Sequence, residues 1–243
     1  MITLLTFKPA FGQPAASPFC VKAIWLLNLS GLDWQREDMN DPRRMPHGKL
    51  PVIRVENRLI ADSDNIRRHL ESRGVDFDAG LSQMERANSR AFIRMAEEHL
   101  YFHIVLDRWG DDRVWPAVRD SYFAAIPRPI RGLATRPLRR AVLRGTLFQG
   151  LGRLSPEERL ERIGPDLQAI TTRLWQGRFL FGDRPTAADA SVAAMLGAMR
   201  ATPGDTLLVR RITSDPVLCG YIDRAAEAMS APVSAAGSER LCA

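Results

Sequence analysis

Ser17-Pro18-Phe19-Cys20 has the spacing of a Cys-x-x-Cys redox motif with serine in place of the first cysteine. A serine forms no disulfide, but its hydroxyl can donate a hydrogen bond to a thiolate carried by another molecule. A helix starting at Pro18 would add unpaired backbone N–H groups and a partial positive charge, and both stabilise an anion such as a thiolate. The simpler reading of Ser17 is a helix N-cap. Cys20, one turn in, reads either as a reactive thiol or as a small buried hydrophobe.

Two further segments carry groups that could hold a ligand. In Gly48-Lys49-Leu50-Pro51-Val52, a proline entering a strand is a candidate cis-proline that would leave the Leu50 backbone free to pair with an extended peptide. In Ala61-Asp62-Ser63-Asp64, a hydroxyl, carboxylates and a helix start converge, which suits the ammonium and carboxylate of an amino-acid head group. A plain N-cap explains the same residues. His99 and His103 are spaced to share one helix face, yet no third ligand is evident, so no metal is expected. From Arg128 to Arg153 run seven arginines and no acidic residue. That segment could touch an anionic membrane surface, receive anionic substrates, or be a solvated connector.

These groups must be positioned by a chain of 243 residues, enough for one large domain or two small ones. With 45% hydrophobic and 26% charged residues it reads as globular rather than disordered or fibrous. The most apolar stretch, Ala187 to Ala201, is interrupted by Asp189 and Arg200 and does not read as a membrane span. No secretory leader precedes the first strand, so the expected compartment is the cytoplasm. Three cysteines are too few and too scattered for a disulfide framework or a zinc site. Despite a net charge of +6, no zinc-finger, RNP or homeodomain pattern points to nucleic acid.

Periodicity and punctuation predict a strand over 2–7, a loop over 9–16 and a helix from Pro18 to about Gly31. A short strand over 34–37 and strands over 50–55 and 58–60 follow, with a hairpin turn at Glu56-Asn57. A helix from Asp64 to about Arg73 ends at Gly74. After a linker, everything reads as helix. A long helix runs from Ser82 to Trp109, with Ala91, Met95, His99, Phe102 and Leu106 on one stripe. Pro127, Pro129 and Pro137 break the next region into short pieces. Further helices are expected over 156–175, 187–200 and 216–229. The expected organisation is an α+β unit over 1–75, a linker over 76–81, an all-helical unit over 82–229 and a mobile tail over 230–243.

Taken together, these motifs resemble the glutathione transferase superfamily, with a thioredoxin-like N-terminal domain and an all-α C-terminal domain. The nearest branch is that of failed axon connections and metaxin. The resemblance rests on residues 17–22 (SPFCVK), 46–53 (PHGKLPVI) and 60–66 (IADSDNI) in the first domain. In the second it rests on 94–101 (RMAEEHLY), Arg108-Trp109 and 179–189 (FLFGDRPTAAD).

It implies that Ser17 stabilises the thiolate of glutathione, the co-substrate, while Phe7 stands near where tyrosine-type members keep their hydroxyl. Leu50, before Pro51, would pair with the cysteinyl backbone. Asp62 and Ser63 would hold the γ-glutamyl group, and Lys49, with His47 as a second candidate, would face the glycyl carboxylate. Met95, His99 and Phe102 could line the pocket of a small electrophile, although ordinary core packing gives them the same period. Thr186 to Asp189 matches a structural capping box. The implied reaction is conjugation, thiolytic cleavage or peroxide reduction, a detoxification chemistry in a homodimer. The branch also implies an alternative, a non-catalytic binding or sorting module.

Overall fold

The computed structural model describes residues 1–231. The expected tail therefore lies, from residue 232 on, outside the described residues, as does Cys242. The first unit is a four-stranded sheet of β1 (Ile2–Phe7), β2 (Trp34–Met39), β3 (Val52–Val55) and β4 (Arg58–Ala61), in the order β2-β1-β3-β4. β1 runs parallel to β2 and antiparallel to β3, and β4 returns antiparallel to β3. The turn between β3 and β4 places Glu56 at a φ of +54°. Helix α1 (Pro18–Leu29) crosses over from β1 to β2, as a parallel pair requires. It is buried on nearly every side, because one face covers the sheet and the other meets the helical unit. Gly31 at φ +67° ends it, and Gly74 at φ +92° ends α2 (Ser63–Ser72), conformations open to glycine without a Cβ clash.

The helical unit opens with α3 (Gln83–Met95), started by a capping box of Ser82 and Glu85. The long helix expected to Trp109 is present but not regular. A π turn over Ala96–Leu100, the short α4 (Tyr101–Val105) and a second π turn over Leu106–Gly110 carry it on. Then follow α5 (Trp115–Tyr122), α6 (Arg128–Gln149), α7 (Pro156–Leu174), α8 (Ala187–Arg200), α9 (Leu207–Thr213) and α10 (Pro216–Met229). α8 is buried from Ala187 to Met199 and forms the centre of the molecule. At its start the buried Asp189 accepts hydrogen bonds from Leu180 N, Thr186 N, Thr186 Oγ1 and Tyr221 Oη. Burial still pushes its carboxyl above the ordinary range.

Several expectations are corrected. The prolines do not break the region after Pro127 into short helices, because α6 is continuous. Pro129 lies in the first turn, where its missing N–H costs nothing. Pro137 lies inside the helix on its exposed side, while Arg131 and Thr135 anchor the buried side. β2 runs to Met39 rather than Glu37, and α9 was not anticipated. Ser17 occupies the N-cap position of α1, but its side chain caps nothing.

Candidate active site

Strand register brings three of the singled-out segments to one end of the sheet. Leu5, near the C-terminal end of β1, pairs with Val52 at the start of β3, and Val52 pairs with Ala61 at the end of β4. The loop leading to Ser17, the Leu50-Pro51 bond and the Asp62-Ser63 helix start therefore share that end. The Leu50-Pro51 peptide is cis. Neither the N–H nor the C=O of Leu50 pairs with another described backbone group, so both remain for an extended ligand. Asp62, at φ +79°, caps α2, and its Oδ1 accepts from Asp64 N at 2.9 Å and Asn65 N at 3.3 Å. Both bonds go to one oxygen, which leaves Oδ2 for an ammonium. Ser63 is buried, with no hydrogen bond to its hydroxyl among the described residues. His47, at φ +60°, and Lys49 are exposed on a turn beside Pro51.

Ser17 is half-buried, and its hydroxyl and that of Thr6 lie near the Cys20 thiol. Burial pushes the Cys20 thiol above its ordinary value, against those two hydroxyls. A fully buried thiol with a raised pKa is a poor nucleophile, so Cys20 is packing rather than a second reactive centre.

The long loop before Ser17 is held from both sides. Arg36 donates to Pro14 O and Phe7 O, and Ala16 N donates to Lys8 O. From the helical unit, the buried Arg108 donates to Ala16 O (3.3 Å), Ala198 O (2.6 Å), Thr202 Oγ1 (3.1 Å) and Tyr122 Oη (2.5 Å). Tyr122 Oη also donates to Ala16 O, and the Phe11 ring lies 5.4 Å under the guanidinium. None of the described ion pairs pairs Arg108 with a carboxylate, so its positive charge stands next to the residue before Ser17. A buried cation there favours an anion at the same place. Tyr101 packs edge-on against Phe19 at 4.7 Å, in the company of Arg108 and Tyr122. Burial pushes its phenol up to about 12, which keeps it a neutral hydrogen-bond donor.

The helix face turned to the sheet unit is therefore not the expected stripe. It is carried by Arg90 and Arg94, which reach Asp64; by Glu97, which binds Lys22; by Tyr101; and by Arg108. The π turn over Ala96–Leu100 shifts the phase within the stripe, so Met95, His99 and Phe102 fall beside this face. His99 is turned to α7, with Nδ1 2.5 Å from Asp166 and Nε2 3.5 Å from His103. Met95 packs against the core, and the Phe102 ring leans on Tyr101. Arg108 and Tyr101 stood in the motifs quoted above, but spacing alone gave them no direction.

The sequence matches the family profile of the glutathione S-transferase N-terminal domain over residues 18–114 and that of the glutathione S-transferase C-terminal domain over 156–224. It is 31% identical to the isoprene-epoxide–glutathione S-transferase of Rhodococcus sp. (strain AD45), over 92% of this chain and 97% of that protein. The chain belongs to the glutathione transferase superfamily. Within this superfamily it is also 26% identical to metaxin-1 of Sus scrofa and 28% identical to Failed axon connections of Drosophila melanogaster. Those matches cover 81% and 92% of this chain but 65% and 57% of the relatives' own lengths. A solved glutathione transferase of Phanerochaete chrysosporium shares the fold, with a TM-score of 0.63 at 22% identity, covering 93% of this chain and 96% of that one.

On the opposite face of the same helix lies a cavity of about 660 Å³, lined among others by His103, Leu106, Asp107, Arg159 and Thr206. Burial and then the neighbouring His99 push His103 down to about 3, so this transferase-fold chain carries a neutral imidazole there. Burial pushes the Asp107 carboxyl up from 3.8 to about 6, although Thr206 Oγ1 donates to it. With the folded-state value above the unfolded one, this group stabilises the fold in its protonated form. That contribution is complete below 3.8 and is lost as pH rises through about 6. An Asp107→Asn protein is therefore expected to match the wild type near pH 4 and to exceed it by up to about 3 kcal/mol at pH 8. Urea unfolding at the two pH values measures this, and an equal gain at both would refute it.

Proposed function

We propose that this chain is a glutathione-dependent transferase acting on a small electrophile. The observation that carries the reading is the Ser17 hydroxyl at the start of α1, which is not spent on capping the helix. The helix N-terminus, the Ser17 hydroxyl and the unpaired Arg108 charge would each favour the thiolate of a bound glutathione and raise its nucleophile fraction at neutral pH. Leu50 would pair with the cysteinyl backbone, Asp62 and Ser63 would hold the γ-glutamyl head, and Lys49 would face the glycyl carboxylate. The name of the Rhodococcus relative supports an epoxide as the electrophile. Sulfur would then attack a ring carbon, the C–O bond would break, and the released oxygen would take up a proton. Tyr101 is the neutral donor on the facing helix. Action in the cytoplasm as a homodimer is part of the same reading.

A second reading, a non-catalytic module, is favoured by the relatives named metaxin-1 and Failed axon connections. Calorimetry with glutathione separates the two. Binding in the micromolar to millimolar range, lost in an Asp62→Ala/Ser63→Ala protein, is the expected result. Absence of heat with the folded wild type would transfer the weight to the second reading.

A further inference from the structure

Helix α6 falls between the two stretches matched by the family profiles, 18–114 and 156–224. At 100° per residue its inner face carries Arg131, Thr135, Arg139 and Thr146. Arg131 donates to Ile126 O and Ala124 O. Arg139 donates to Trp109 O and stands 5.1 Å over the Trp115 ring. These contacts fix the helix against the body, so its opposite side is presented rather than packed.

That opposite side mixes apolar and cationic side chains. Ile130, Leu133, Leu138, Leu147 and Phe148 are all exposed, Leu133 at 70% and Phe148 at 91%. Arg136, Arg140 and Arg144 follow each other at one-turn spacing, all exposed and in none of the described ion pairs. Leu147 and Leu133 fall between them around the helix, Phe148 and Ile130 lie beside them, and Leu138 lies toward the inner face. No acidic residue occurs between Asp120 and Glu157. A second copy of this face would set one arginine row against another with no carboxylate to neutralise it. A face on which exposed leucines and a phenylalanine stand among arginines complements a surface that is negative outside and apolar just beneath, as at an anionic phospholipid interface. At 22 residues the helix is about 33 Å long, and among the described residues no helix is long and apolar enough to cross a membrane.

We propose that α6 docks in the plane of an anionic phospholipid surface. Leu133, Leu147 and Phe148 enter the interfacial layer, and Arg136, Arg140 and Arg144 lie on the headgroup phosphates. This attachment does not depend on catalysis, since α6 carries none of the residues assigned to the glutathione site.

The test is co-sedimentation with phosphatidylserine–phosphatidylcholine vesicles and with pure phosphatidylcholine vesicles. The full chain is expected to sediment with the first and not the second, and to be released as salt rises. Each arginine near such a surface changes partitioning about fivefold, so Arg136→Gln/Arg140→Gln/Arg144→Gln should lower it on the order of a hundredfold. Leu133→Ser/Leu147→Ser/Phe148→Ser should weaken it as well. All six side chains face solvent, so both variants should keep the wild-type circular dichroism. A wild type that stays in solution with anionic vesicles at low salt overturns the proposal. So does a concentration-dependent dimer, without vesicle binding, that the serine variant returns to monomer, because the face would then join two copies.

Discussion

A Ser17→Ala protein is expected to fold as the wild type does and to lose roughly a hundred- to a thousandfold in turnover, the usual effect of removing one donor that stabilises a reacting anion. The fold should survive because the Ser17 side chain caps nothing, and its backbone carbonyl, which accepts from Cys20 N and Val21 N, is unchanged. The loss should be in chemistry rather than affinity, because the peptide part of glutathione is assigned to Leu50, Asp62 and Ser63. Without the hydroxyl the bound thiol should titrate closer to the ordinary cysteine value of about 8.5, so the rise of rate with pH should move upward. Turnover with a glutathione-dependent assay, followed across pH, measures both effects. Undiminished turnover in a variant of unchanged stability would remove Ser17 from the mechanism and leave Arg108 and the helix end as the stabilising groups.

Glu97→Ala should destabilise the protein by about 3–5 kcal/mol, the cost of leaving a buried charge without its partner. Lys22 Nζ has no solvent exposure and lies 2.5 Å from Glu97 Oε1, which also accepts from Ser191 Oγ at 2.9 Å. Burial pushes the Lys22 ammonium down, while the Glu97 carboxylate and the Asp64 charge hold it up. The pair joins α1 to the helical unit, with Arg94 bridging Glu97 and Asp64. Surface pairs such as Arg43 with Asp41 should by contrast give little when broken. Replacing both partners, as Lys22→Met/Glu97→Leu, should recover most of the loss, since an apolar pair of similar volume needs no desolvated charge. Urea unfolding measures the three proteins. A single-variant loss below about 1 kcal/mol would mean that water reaches the ammonium.

The sheet unit was legible because its signals are local. A short run of apolar and β-branched residues marked β1, Pro18 and Gly31 bracketed α1, and Asp62 with Gly74 bracketed α2. The capping boxes at Ser82, Ser155 and Thr186 are likewise contained within four residues. What escaped depends on partners far along the chain. The pairing of Lys22 with Glu97 spans 75 positions, and that of Arg108 with Ala198 spans 90. Helix α6 escaped because proline statistics count against a helix, while Arg131, through Asp120, and Arg139, through Trp109, tie it to neighbouring helices. The stripe of Met95, His99 and Phe102 assumed an uninterrupted 3.6-residue period, and the wide turn over Ala96–Leu100 broke that assumption.

Those two π turns make the chain's face-setting depend on where single extra residues sit rather than on helix length. A π turn accommodates one more residue than an α turn, so each wide turn takes up an extra residue locally instead of passing about 100° of rotation down the axis. Removing one residue from Ala96–Leu100 would close that turn to a regular one and leave Tyr101 and Arg108 facing the loop before Ser17. Moving the wide turn along the helix would instead turn the side chains between its old and new places by about 100°. The wide turns thus act as slack in the chain, and relatives that differ by a single residue in this stretch can present the same wall to their substrates.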